Sequence, residues 1–131
     1  MRSPALALIV GLAVAAIGCG GSSGPSDEQP VRTTLSRFAA AVARGDLQGL
    51  CDRILSKQLV DKIESVGLPC EVAVKGFSAA KNPKLTVERV TVKGEQAQAK
   101  VRTTAANQAP STDTIRLVKS ATGWRIDSLA R

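Results

Sequence analysis

The chain has 131 residues, with 18 Lys and Arg against 11 Asp and Glu, a formal charge of +7 at pH 7. It holds no His, no Tyr, one Trp and two Phe, which excludes histidine acid–base chemistry, leaves any metal site to thiols and carboxylates, and denies the cations the aromatic platforms that single-stranded nucleic acid uses. The length fits one domain with one modest core, and the surplus of positive charge points to anionic surfaces, polymers or proteins rather than to nucleic acid.

Arg2 is followed by an uncharged, largely apolar stretch from Pro4 to Gly18, then by Cys19 and the spacer Gly20-Gly21-Ser22-Ser23-Gly24. An early cation, an apolar run and small residues make an export signal. Ala16-Ile17-Gly18-Cys19 resembles a bacterial lipobox, which implies that residues 1–18 are removed and that Cys19 carries a diacylglycerol and palmitate anchor. Cleavage nearby by an ordinary signal peptidase, or retention as an uncleaved anchor, is the alternative reading. In each case the domain is expected outside the cytoplasm, and with Cys19 acylated it is held at the extracytoplasmic face of the cell membrane. Residues 19–29 have little to bury and read as anchor and flexible tether, which leaves 30–131 as the single folded domain.

Order is expected from Pro30, with Asp27 and Glu28 at the positive end of the coming helix. Val31, Leu35, Phe38, Ala39 and Val42 recur at helical spacing, and Gly45 ends the run. Asp46 caps a shorter helix carrying Leu47, Leu50, Cys51 and Ile54, and Ser56 caps a third carrying Leu59, Val60 and Ile63. Between Pro69 and Lys81, the positions of Cys70, Val74 and Phe77 suit a short helix. With Cys19 acylated, Cys51 and Cys70 are the remaining thiols, and an exported domain with two thiols pairs them. The pair reads as a structural staple, because a redox site would want closer spacing and Glu71 beside Cys70 disfavours a thiolate.

From Leu85 the apolar period becomes two. Leu85 and Val87 share one parity and Val90 and Val92 the other, so a bulge at Glu88-Arg89, or a strand buried partly on both faces, is expected. Lys93-Gly94-Glu95 is a turn. The next strand alternates Ala97, Ala99 and Val101 with Gln98, Lys100 and Arg102. Residues 107–111 read as a loop, a third strand follows over 112–119, and a fourth runs from Trp124 to Leu129 after a turn at 121–123. Helices first and an antiparallel meander second give an α+β fold: N-terminal helices packed on a bent, mainly antiparallel four-stranded sheet.

A helical front ending in Ala43-Arg44-Gly45-Asp46, the Lys93-Gly94-Glu95 turn, the Ala97-Gln98-Ala99 strand and the final Gly123-Trp124-Arg125-Ile126 together resemble the nuclear-transport-factor-2-like superfamily over residues 30–129. Within it the chain is most similar to small exported lipoproteins with a polyketide-cyclase-like or cystatin-like domain. The resemblance implies a bent sheet around a long helix, a conical cavity, and dimerisation through the outer sheet face.

Three kinds of site are conceivable on such a domain. Enzymes of the resembled shape pair a pocket carboxylate with Tyr or His; here Asp46 reads as a helix cap, Asp52, Asp61 and Glu88 as solvated groups, and a base without an oxyanion partner is a weak catalyst. No catalytic residue, cofactor or metal is therefore expected. A small apolar ligand would sit among Phe38, Val42, Leu50, Ile63, Phe77, Ala97 and Ala99, unless the two alanines instead let the first helix pack tightly on the sheet. Lys100, Arg102, Arg116 and Arg125 share the other sheet face by alternation, with Asp127, Val118 and Leu129 among them. They would meet an anionic envelope partner, face a second copy in a homodimer, or remain a solvated face. The expected function is that of a non-catalytic binding or interaction module at the cell envelope. The alternative is a polyketide-cyclase-like or isomerase-like enzyme acting on a small apolar substrate.

Overall fold

The computed structural model describes residues 25–130, so Cys19 and the expected signal lie outside the described residues. Helix α1 spans Pro25–Arg44. It starts five residues before the expected Pro30, because the acidic segment finds partners: Glu28 accepts from Arg32 at 2.7 Å and Asp27 reaches Lys119 at 3.6 Å. Both acids also sit where the helix dipole favours them, and Pro30 removes only one early backbone bond.

The helix ends where Gly45 takes a φ of 66°, a left-handed conformation that costs glycine little. The Gly45 N–H donates to the Val42 carbonyl and the Asp46 N–H to that of Ala41, closing the last carbonyls in a Schellman arrangement. A short helix α2 (Leu47–Gly49) then widens into a π turn over Leu50–Ile54, with the Leu55 N–H bonded to the Leu50 carbonyl. Helix α3 (Lys57–Glu64) and helix α4 (Cys70–Val74) come next, the latter tightening into a 3₁₀ turn over Lys75–Ala79. Cys51 and Cys70 form a disulfide with Cα atoms 6.1 Å apart, fastening the π turn to α4.

Four strands, β1 (Lys84–Lys93), β2 (Gln96–Ala105), β3 (Gln108–Ser120) and β4 (Gly123–Ala130), make an antiparallel sheet in chain order. Its inner face carries Val90, Ala99 and Ile115 in one cross-strand row and Val92, Ala97, Leu117 and Ile126 in the next. Against these lie Val31, Leu35, Phe38 and Ala41 from α1 and Leu50, Ile54 and Leu55 from the π turn and its end, all buried. The β1 register shifts between Val87 and Arg89. Glu88 is the extra residue, and it lets Leu85, Val87, Val90 and Val92 all pack on the core despite their change of parity.

Two sheet features differ from the sequence reading. First, β3 begins at Gln108, inside the expected loop, because its first residues pair only with β2, where Ala105 faces Gln108 and Thr103 faces Ser111. Pro110 falls in the irregular step between those pairs, where a missing N–H interrupts no regular ladder. Second, the β3–β4 register shifts between Arg116 and Leu117, placing Asp127 as an extra residue. The shift reverses the parity of β4 beyond Asp127, so Leu129 pairs with Ile115 on the inner face rather than standing among the outer cations.

The two edges differ as well. β4 is covered where Leu55 bridges Ile126 and the Ser56 N–H donates to the Ile126 carbonyl at 2.7 Å. β1 is guarded by its bulge and by Lys84, Arg89 and Lys93, devices that discourage strand addition.

Candidate functional site

The inner face closes at one end of the sheet and gapes at the other. At the closed end, Trp124 is buried and its carbonyl accepts from the Thr34 hydroxyl at 3.1 Å, while Lys119 lies 5.9 Å from the indole centroid. Ala97 and Ala99 are 3% and 0% exposed, which leaves no room for a ligand beside them. These two alanines and Leu50, expected in the pocket, belong instead to a filled core. Ile63 packs partly buried against the same core.

At the open end, α1 has passed Phe38, the 3₁₀ turn stands away from the sheet, and a groove of about 600 Å³ remains. Phe38, Val42, Val101, Ile115 and Leu129 supply its floor, with Phe77 and Leu85 as walls. Phe38 and Phe77 meet edge to face with centroids 6.0 Å apart, so two of the expected pocket residues shape one side of the opening. Its polar groups are Lys84 on β1 and Thr103, Gln108, Ser111 and Asp113 along β2 and β3.

Asp113 is the one carboxylate of this groove. It shares a cross-strand row with buried Val101, stands two residues before buried Ile115 on the inner face, and is itself half-buried. The Ser111 hydroxyl donates to one of its oxygens at 2.7 Å. The acids singled out by sequence lie elsewhere. Asp46 accepts from the Gly49 N–H and pairs with Arg53, Asp61 pairs with Lys57, Glu88 pairs with Lys100, and Asp52 is exposed. Alternation along β3 carried the signal for Asp113, since Asp113, Ile115 and Leu117 share one parity.

Such a groove can desolvate an apolar body of small-molecule size and offer it one oriented anionic acceptor. Among the described residues no group of three or more His, Cys, Asp or Glu could hold a metal ion. No described helix is long and apolar enough to cross a membrane.

The outer face is polar. Lys100, Arg102 and Arg116 are exposed on it as expected, but Arg125 is folded down, donating to the Asp52 carbonyl at 3.0 Å and to the Thr122 hydroxyl at 2.9 Å. Asp127 is likewise held, accepting from the Ser56 hydroxyl at 2.6 Å.

Helices on one face of a four-stranded antiparallel meander, wrapped round a tapering inner space, define the nuclear-transport-factor-2-like fold. Solved proteins share it across most of their length. A nuclear-transport-factor-2-like protein of unknown function from Shewanella baltica superposes with a TM-score of 0.61 at 18% identity, covering 82% of this chain and 94% of that one. Another of unknown function, from Silicibacter pomeroyi, gives 0.59 at 16% identity, covering 79% and 92%. No family model matches the chain, and no curated protein does.

Proposed function

We propose that this chain is a non-catalytic binding module of the cell envelope, tethered to the membrane through a lipid on Cys19, whose groove holds a small apolar molecule bearing a hydroxyl or ammonium group. The observation that carries the reading is half-buried Asp113, the one carboxylate of a groove whose floor is apolar. A half-buried carboxylate still gains from a hydrogen-bond donor, and the Ser111 hydroxyl occupies only part of its accepting capacity. A donor on an otherwise apolar ligand completes it. The export signal and the Cys51–Cys70 disulfide support an extracytoplasmic address.

The second reading is an isomerase-like or cyclase-like enzyme with Asp113 as its base, favoured by the same placement. Binding is the better account, because the sequence contains neither His nor Tyr to polarise a carbonyl opposite that carboxylate. Native mass spectrometry of the chain purified from its own host's envelope tests the proposal. A small molecule retained in the native spectrum of the wild type, and lost from Asp113→Asn, supports it. An empty wild-type groove, or turnover of the retained molecule, overturns it.

A further inference from the structure

The outer sheet face has an order that the sequence hid. The registers align four successive cross-strand rows, and every row contains a cation. The first is Thr86, Arg102 and Thr112; the second Arg89, Lys100 and Thr114; the third Thr91, Gln98, Arg116 and Ser128; the fourth Lys93, Gln96, Val118 and Arg125. Side chains on one face of a strand recur about every 7 Å, so the rows form a ladder of positive charge at that step. In the first three rows each cation lies in a row with hydroxyl or amide groups.

Arg89 and Lys100 are directly opposite, an arrangement that weakens a sheet, and Glu88 offsets it at 3.7 Å from Lys100. Among the described residues Arg89, Arg102 and Arg116 have no ion-pair partner. The face is also dished: a depression of about 390 Å³ lies over the third and fourth rows, lined by Thr91, Lys93, Gln98 and Arg116, with Asp127 at its margin.

We infer that this ladder is a docking track for a linear phosphodiester polymer of polyol units. A cationic side chain and a neighbouring hydroxyl together satisfy the several acceptor oxygens of one phosphate, and each of the first three rows offers such a set to the next repeat. The partner is not a bilayer, because the face exposes no large apolar side chain to insert; Val118 is half-buried. Single-stranded nucleic acid is disfavoured, because the face has no aromatic ring on which a base could stack. A second copy meeting this face through a two-fold axis would set one cationic ladder against another. The inference is independent of the groove, which opens on the other side of the sheet.

Fluorescence anisotropy of labelled poly(glycerol phosphate) against the full chain in detergent, over a salt series, tests it. The wild type binds with a steep salt dependence. Arg102→Glu with Arg116→Glu binds about tenfold or more weakly, and its log–log salt slope falls by about 1.4, the share of two single-strand phosphate contacts. Arg37→Glu with Lys81→Glu, an equal charge change on exposed residues elsewhere, keeps wild-type affinity. Should the first pair not fold, Arg102→Gln with Arg116→Gln removes the two charges and weakens binding in the same direction. The inference falls if the wild type does not bind, if both pairs lose affinity equally, if oligo(dT) binds as tightly, or if reversal at Arg102 and Arg116 changes the sedimenting mass.

Discussion

The Ser56 side chain donates to the Asp127 carboxylate at 2.6 Å and accepts from the Leu59 N–H at 3.0 Å, so one hydroxyl both caps α3 and fastens it to the bulge of β4. Ser56 is buried, and the Ala variant loses both bonds. Ser56→Ala should cost about 2 kcal/mol, the sum expected for a cap and a charge-assisted bond. Urea unfolding with an unchanged m-value measures it. Ser65→Ala, whose hydroxyl is exposed and bonds only within its own turn, should cost much less.

Replacing both Cys51 and Cys70 by Ser should lower stability by about 3 kcal/mol, the chain-entropy value for a loop of this span. Comparing denaturation midpoints of the oxidised wild type and the double variant checks it.

A Cβ added at Gly49 would collide with the Asp46 carboxylate that caps α2 and with the Arg53 guanidinium paired to it. Gly49→Ala should therefore destabilise by about 1 kcal/mol even though alanine is the better helix former, and Asp46→Ala should abolish most of that difference in a double-mutant cycle.

Filling the groove is the sharpest test of its use. Val42→Phe puts a second ring beside Phe77 at the opening, and should displace any retained small molecule while leaving the melting temperature within a few degrees. Thermal unfolding followed on the same sample used for native mass spectrometry separates lost ligand from lost fold.

The sequence made the architecture legible where periodicity was clean. The change from a helical stripe ending at Val42 to alternation from Leu85, and the parity reversal at Glu88, place the elements and one bulge. Three things stayed hidden, each for a physical reason. The start of α1 depends on ion pairs from Asp27 and Glu28 to Lys119 and Arg32, and the Lys119 contact spans almost the whole chain. The length of β3 depends on β4 stopping short of its first residues, which frees Pro110 from a ladder. Leu129 changes face because a second bulge falls at Asp127, in a short strand whose pattern does not announce it. That slip moves Leu129 into the groove, which runs over Val101, Ile115 and Leu129, beside the small residues that suggested a hollow rather than over them. Small side chains marked filled core on β2, while α1 lies nearest to β1 and β4.

The link between Cys51 and Cys70 joins a five-residue π turn to a five-residue helix, segments far too short to hold helical shape alone. With the sulfurs apart, the π turn and α4 lose the covalent tie between them, while Ser56 and Thr34 still bond to β4. Reduction is therefore expected to loosen α4 first, opening buried Cys70 and Val74 to proteases while α1 stays packed on the sheet.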